Sequence, residues 1–195
     1  MTEGISVHDE SAEEPGKGLW YKDGLSFSCS MCGNCCTGPP GAVWFEEDEG
    51  KAMAAKLSMD YPSFLKTFAR RINGKLSLRE RHTRFGYDCV FLDRESKPGK
   101  AFCSLYETRP SQCRTWPFWS ENLESKDAWD EARQRTPCPG MDSHDSNAFV
   151  PVERILEQLA ESQAAARFAR GSRGSLRVSS FLKLHEQLWG NLCLQ

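Results

Sequence analysis

The sequence has no long apolar run, no large excess of either charge and no apolar leader at its N-terminus. No stretch approaches the roughly 20 apolar residues that span a bilayer. The formal net charge is -2, with acidic and basic residues mixed along most of the chain, which argues against a dedicated nucleic-acid surface. We therefore expect a cytoplasmic protein with no membrane partner, and nucleic acid is disfavoured as a ligand.

The common catalytic patterns are also missing. The sequence has neither the Cys-x3-Cys-x2-Cys spacing of radical-SAM enzymes nor a Gly-x-Gly-x-Gly turn for a nucleoside cofactor. No Ser/His/Asp or paired-carboxylate arrangement can be argued from spacing. The sequence therefore identifies no catalytic residue.

Cysteine, in contrast, is abundant, with nine residues in a chain of 195. Four of them lie in the segment CSMCGNCC at 29–36, and in a reducing compartment such thiols favour metal binding over disulfides. Spacers of two residues let neighbouring thiolates turn toward one centre, and Gly33 removes a side chain where the loop is tightest. The candidate ligands of a metal ion or cluster are Cys29, Cys32, Cys35, Cys36, Cys89, Cys103, Cys113 and Cys138.

Three further residues are set aside as ligands. Cys193 lies near the end of the chain in an apolar helical pattern, which is typical of a bystander thiol. His82 and His144 lie singly in polar surroundings and are expected to be exposed to solvent.

Four ordered motifs resemble one known family: CSMCGNCC, DCVFLD, CSLYETRPSQCRTWPF and CPG, within about residues 27–141. Together they are similar to the CxxCxxCC zinc- or iron-chelating proteins, the YkgJ-type cysteine cluster family. The resemblance implies a cytoplasmic, bacterial-type metal-binding protein. A flagellin lysine methylase resembles the same family, so the resemblance also implies protein lysine methylation as an alternative activity.

The cysteine spacing favours an iron–sulfur cluster, of the 4Fe-4S type, over zinc. Cys29, Cys32 and Cys35 match the first three ligands of a bacterial ferredoxin run, and Cys138 is followed by proline as the fourth ligand is. Zinc sites usually pair two Cys-x2-Cys knuckles, whereas here one dense cluster precedes isolated cysteines. A structural or electron-transfer role follows from a cluster, and a zinc-stabilised interaction module is the alternative.

Adjacent Cys35 and Cys36 are expected to point in different directions and so to serve two centres. Under this hypothesis one centre takes Cys29, Cys32, Cys35 and Cys138, and the other takes Cys36, Cys89, Cys103 and Cys113. One centre accompanied by several buried structural cysteines is the alternative.

Charged and aromatic residues near Cys113 are expected to support the centre. Arg109 and Arg114 are placed to donate to sulfur or to pair with Glu107, which would offset the charge of buried thiolates. Arg84 is expected to be an ordinary surface residue. An apolar wall that excludes water from the centre is predicted at Trp116, Pro117, Phe118 and Trp119.

The apolar periodicity predicts a small α+β domain centred on metal, with short helices, a small antiparallel hairpin or sheet, irregular Cys-rich loops and C-terminal helices. The predicted elements are a strand over 42–45, helices over 46–57, 60–72, 125–135 and 152–169, a short helical turn around Cys113, a hairpin or three-stranded sheet from residue 75 with Cys89 and Cys103 near its ends, and a last helix containing Phe181 and Trp189. The predicted organisation is a disordered acidic lead-in over 1–18, a cysteine-cluster metal-binding domain over 19–145 and a C-terminal helical segment over 146–195.

Overall fold

The computed structural model describes residues 16–170 of the chain, with side chains to residue 167. Six α-helices occur in this part of the chain: α1 (Glu47–Lys56), α2 (Tyr61–Phe68), α3 (Ser111–Arg114), α4 (Ser120–Leu123), α5 (Lys126–Arg135) and α6 (Val152–Arg170). Two 3₁₀ turns span Asn34–Cys36 and Tyr106–Thr108. The expected last helix, the linker before it and Cys193 lie outside the described residues.

The strands are short and form antiparallel pairs. They are β1 (Leu25–Ser26), β2 (Ala69–Ile72), β3 (Lys75–Leu78), β4 (Glu80–Thr83), β5 (Gly86–Cys89), β6 (Leu92–Asp93), β7 (Phe102–Cys103) and β8 (Phe149–Val150). The pairs are β1 with β8, β2 with β3, β4 with β5 and β6 with β7. The mixed helix and strand content confirms the predicted α+β class.

The prediction of the second helix was correct at its start and wrong at its end. Asp60 caps α2 as expected, accepting a hydrogen bond from the Ser63 amide at 2.9 Å. The helix stops at Phe68, because β2 folds back on β3 through a turn at Asn73 and Gly74, both at positive φ. Asn-Gly is the preferred pair for such a hairpin turn, and the helical period of the apolar residues concealed it.

The region from residue 75 onward is built from hairpins, as predicted, although β3 pairs backward with β2. The ends of two strands carry cysteines, since Cys89 closes β5 and Cys103 closes β7. The strand expected over 42–45 is reduced to one bridge, between Trp44 and Ser77. These hairpins bring Cys89 and Cys103 to the same side of the domain as the cysteine segment.

Two apolar cores flank the cysteine segment. The first surrounds Phe64, which is fully buried, and includes Cys89 together with residues of α1, α2 and the hairpins. The second surrounds Trp129, also fully buried, and includes Cys138 with residues of α5 and α6. Cys36 packs against the first core, and Phe27, two residues before the cysteine segment, packs against the second. Residues 27–36 therefore connect the two cores.

The helices of the second core confirm the sequence prediction. Ser125 caps α5 by accepting from the Ala128 amide at 3.1 Å, and Pro151 immediately precedes α6. None of the helices within residues 16–170 is long and apolar enough to cross a membrane.

Candidate metal centre

The cysteine segment folds into a loop whose backbone has a positive φ angle at two residues. Met31 and Gly33 have positive φ values of 54° and 76°, and a 3₁₀ turn at Asn34–Cys36 follows. A Cβ on Gly33 would lie 2.7 Å from the Cβ of Ala101. Glycine is therefore required there by both backbone conformation and space.

Contacts from distant segments fix this loop. The Ala101 amide donates to the Met31 carbonyl at 2.8 Å, and Lys100 Nζ donates to the Ser30 carbonyl at 3.3 Å. The Asn34 side chain donates to the Pro137 carbonyl, one residue before Cys138. The loop is thus tied to the segments that lead to Cys103 and Cys138.

The loop that carries Cys138 also lies close to the start of the cysteine segment. The Ser28 amide donates to the Gly140 carbonyl at 3.1 Å. A Cβ on Gly140 would lie only 1.9 Å from the Ser28 carbonyl oxygen. The backbones on either side of Cys29 and Cys138 therefore touch, and only glycine allows this.

Cys35 and Cys36 form the closest thiol pair, and their orientation differs from the prediction. Their Sγ atoms lie 3.6 Å apart in a hydrogen bond, because the 3₁₀ turn replaces the extended backbone that would separate them. This bond lowers the pKa of Cys35 to about 7, with a smaller contribution from the Arg109 guanidinium. The same bond, followed by burial, raises the pKa of Cys36 well above its usual value.

Three later thiols, those of Cys89, Cys103 and Cys113, interact electrostatically with this pair. Burial raises the pKa of Cys89 to about 11 and raises those of Cys103 and Cys113. Cys36 interacts with Cys89 and Cys113, and Cys113 interacts with Cys35, Cys89 and Cys103. Because a metal binds thiolates, any metal held by these groups must displace their protons.

Cys138, Cys32 and Cys29 are the remaining three candidate thiols. Burial raises the pKa of Cys138, and its thiol neighbours are Cys32 and Cys35. Cys29 is exposed, and Cys103 interacts with it. Cys35 therefore has neighbours in both of the predicted groups of four.

All eight candidate cysteines are free thiols. The fold brings them around one loop from positions as far apart in sequence as Cys29 and Cys138. Even so, within residues 16–170 no three side chains of the His, Cys, Asp or Glu type are close enough together to hold a single metal ion.

Unused hydrogen-bond donors in the loop fit a negatively charged metal–sulfur group. The Ser30 hydroxyl is buried and has no hydrogen-bond partner in the part of the chain that the structure describes. Over that same part, the amides of residues 29–33 donate to no other backbone or side-chain atom. A buried donor without a partner is costly, and a metal–sulfur anion beside Ser30 would accept a hydrogen bond from its hydroxyl.

The arginines near Cys113 only partly follow the prediction. Arg109 lies over the Tyr106 ring at 3.6 Å and acts electrostatically on Cys113, lowering its pKa against the larger effect of burial. Arg114 is paired with Glu49 and Glu161. The expected pairing of either arginine with Glu107 is wrong, because Lys56 binds that carboxylate at 2.6 Å.

The predicted aromatic wall is part of the second core. Trp116 and Trp119 pack edge to face with ring centroids 4.9 Å apart, and Phe118 is almost fully buried. The Trp116 indole N–H is buried and, among the described residues, has no acceptor. His82 and His144 are both exposed, as expected for residues outside the ligand set.

Comparisons with known proteins agree with this geometry. Residues 28–139, more than half of the chain, match the model of the CxxCxxCC family, described as a "Putative zinc- or iron-chelating domain". The chain is also 32% identical over 99 residues to an uncharacterized protein of Methanocaldococcus jannaschii, covering 50% of this chain and 48% of that relative. The chain thus spans about half the length of this curated relative. No solved structure matches.

Proposed function

Because the chain belongs to the CxxCxxCC family of zinc- or iron-chelating domains, we propose that its cysteines hold an iron–sulfur centre with a structural or electron-transfer role. The cysteine loop carries this proposal, since it combines ferredoxin-like spacing with amides and a buried hydroxyl that lack acceptors. The proposed ligands are Cys29, Cys32, Cys35, Cys36, Cys89, Cys103, Cys113 and Cys138. When bound, such a centre supplies one-electron transfer.

The distribution of the thiols supports a cluster over a single ion. Ligands of a four-iron cluster bind different iron atoms, whereas the ligands of one zinc ion must all lie about 2.3 Å from the same point. Cys113 interacts electrostatically with Cys35, Cys89 and Cys103, and the first three cysteines of the segment have the ferredoxin-like spacing. A 4Fe-4S cluster is therefore the cofactor that we propose.

We propose two centres as the working division of the ligands. The electrostatic interactions of Cys138 with Cys32 and Cys35 support one group, and those of Cys113 with Cys89 and Cys103 support the other. Cys113 also interacts with Cys35, across this division. The metal-binding unit is proposed to span residues 19–145. A reducing compartment such as the cytoplasm would keep these eight thiols available.

Metal analysis of anaerobically purified protein tests the proposal. We expect iron and acid-labile sulfide in comparable amounts, together with visible thiolate–iron charge-transfer absorbance. Stoichiometric zinc without sulfide or colour would show that the iron–sulfur proposal is wrong.

Zinc is the second candidate, and the Cys35–Cys36 contact favours it. Sulfur atoms 3.6 Å apart have the separation expected for two ligands of one tetrahedral ion. In that case the metal would stabilise an interaction module and would carry no electrons. The same metal analysis separates the two candidates.

A further inference from the structure

We propose that a cleft beside the cysteine loop binds a small molecule bearing a carboxylate or phosphate group. The cleft has a volume of about 750 Å³, within the usual range for small-molecule sites. It is bounded by the β4–β5 hairpin on one side and residues 90–96 on the other, with Ser104 at one end. This assignment is independent of which metal the thiols hold.

A buried ion pair builds the floor of the cleft. Asp88 has a side chain only 1% exposed and accepts two hydrogen bonds from Arg94, from Nε at 2.9 Å and from Nη2 at 3.1 Å. Both carboxylate oxygens of Asp88 are therefore paired with Arg94. The guanidinium of Arg94 is thereby held in one orientation, with Nη1 unused by this pair.

Donors exceed acceptors among the charged groups that face the cleft. Arg81 gives one Nη2 bond to the Leu92 carbonyl and interacts electrostatically with Asp93. Arg84 lies 4.8 Å from the centroid of the Phe85 ring and makes no ion pair within the described residues. An arginine has five N–H donors, so most of those on Arg81 and Arg84 are free. A ligand rich in acceptor oxygens would satisfy them.

Within the described residues, the acidic side chains of the cleft accept no hydrogen bond from Arg81 or Arg84. Asp93 accepts from the amides of Glu95 and Ser96 at 2.8 and 2.9 Å and from the Ser96 hydroxyl, so its own turn occupies its oxygens. Glu95 is exposed. Three arginines and three acidic residues line the cleft, so their charges cancel. The cleft would therefore bind an oxyanion through the arginine N–H groups that have no acceptor within the described residues.

An exposed aromatic ring completes the cleft. Phe85 is 49% exposed and lies beneath two guanidinium groups, with Arg94 at 4.2 Å and Arg84 at 4.8 Å from its centroid. Such stacking orients guanidinium planes and keeps their edges available for hydrogen bonds. The ring therefore holds two arginines of the cleft close to one another.

The cleft shares a wall with the cysteine loop. Thr37, next to Cys36, donates to the Phe85 carbonyl at 3.3 Å, and the Tyr87 amide donates to the Gly38 carbonyl at 2.8 Å. A Cβ on Gly86 would lie 2.6 Å from that Gly38 oxygen. The hairpin that lines the cleft is thus fixed to the residues that directly follow Cys36.

Calorimetric titration of the full-length protein as isolated tests the site with two weakly chelating probes, glycerol 3-phosphate and succinate. We expect at least one probe to bind, and Arg84→Gln to weaken that binding about tenfold, because a hydrogen bond to a charged group is lost. Arg84→Lys keeps the positive charge but loses the paired N–H donors of the guanidinium. Its affinity for the probe should therefore lie between those of the wild type and Arg84→Gln. The probe that binds more tightly identifies the ligand as phosphate or carboxylate.

Arg71→Gln is the matched control, since Arg71 is exposed on β2, away from the cleft, and donates to the Gly74 carbonyl. It should bind the probe as the wild type does. Absence of heat with both probes, or equal binding by wild type and Arg84→Gln, would overturn the proposal. Metal content measured on the same samples separates this outcome from failure of the iron–sulfur proposal.

Discussion

Single glycines decide whether the cysteine-bearing segments can meet. Gly33 permits the tight turn before Cys35, and Gly140 permits the backbone around Cys138 to touch Ser28. Neither residue can supply a metal ligand. Their effect on the centre is entirely steric, through the approach of one backbone to another.

Gly140→Ala should destabilise the protein and weaken the attachment of Cys138. The new Cβ would collide with the Ser28 carbonyl oxygen at 1.9 Å, and overpacking of this kind costs about 1–3 kcal/mol. Both the midpoint urea concentration of unfolding and the metal content per chain should be lower than in the wild type.

Gly41→Ala provides the control for this variant. Its Cβ would meet nothing closer than 3.7 Å, an ordinary contact, so stability and metal content should be preserved. Equal behaviour of the two variants would show that the Gly140 contact does not matter.

Substitutions of the cysteines test the proposed division into two centres. Cys35→Ser should lose the same part of the bound metal as Cys138→Ser, and Cys36→Ser the same part as Cys89→Ser or Cys113→Ser. Cys193→Ser should leave the metal content unchanged. Iron, zinc and sulfide per chain are the measured quantities.

The contact between the Cys35 and Cys36 thiols means that these substitutions have a second possible outcome. Because the Cys35 and Cys36 sulfurs are 3.6 Å apart, one ion could bind both. If Cys35→Ser and Cys36→Ser lose the same metal, a single centre replaces the two.

At the scale of elements, capping decides where the helices near the first core begin. Asp60 starts α2, and the reciprocal bonds of Glu46 and Glu49 start α1. The two helices pack together and bury Phe64 against the hairpin that leads to Cys89. Helix initiation therefore contributes to the position of a candidate ligand.

Asp60→Ala should lower the melting temperature at neutral pH, whereas Asp60→Asn should retain most of the cap. Hydrogen bonds from Ser63 lower the pKa of Asp60. A carboxylate whose folded pKa is lowered stabilises the fold above its ordinary range and loses this effect as the pH falls through the lowered value.

The difference in melting temperature between wild type and Asp60→Ala should accordingly narrow below about pH 4. Thermal denaturation followed by circular dichroism over a series of pH values measures it. A difference that stays constant with pH would show that the charge of Asp60 is not what stabilises α2.

At the scale of the whole molecule, two modest cores meet at a loop rich in thiols. The strand pairs are only two to four residues long, and paired strands alone are marginally stable in water. The segment between the cores is held by hydrogen bonds to carbonyl groups and by a few glycine contacts. A bound metal would therefore add much of the stability of residues 25–140.

Metal removal should unfold this region. Structural metal binding contributes about 10 kcal/mol, comparable with the whole stability of a domain. Chelation under reducing conditions should reduce the circular dichroism signal and the melting temperature, and restoring the metal anaerobically should recover both. An unchanged melting temperature after complete metal removal would contradict the expectation.

Local chemistry in the sequence was enough to predict where the longer helices begin and to identify the cysteines as candidate ligands. Asp60 and Pro151 mark helix starts through backbone hydrogen bonding and fixed φ, and α1 and α5 follow from charge and apolar periodicity. The metal-binding family follows from the spacing of the cysteines. These features depend on residues a few positions apart, which a sequence pattern records directly.

Tertiary structure alone decided which distant groups meet. No local sequence pattern predicts the ion pair of Lys56 with Glu107 or the hydrogen bond from Asn34 to the Pro137 carbonyl. The pairing of β1 with β8 is likewise not predicted by a local pattern. The Cys35–Cys36 contact depends on a 3₁₀ turn that Gly33 and the packing of Ala101 impose. Such contacts arise from the packing of whole segments, and packing depends on the entire chain at once.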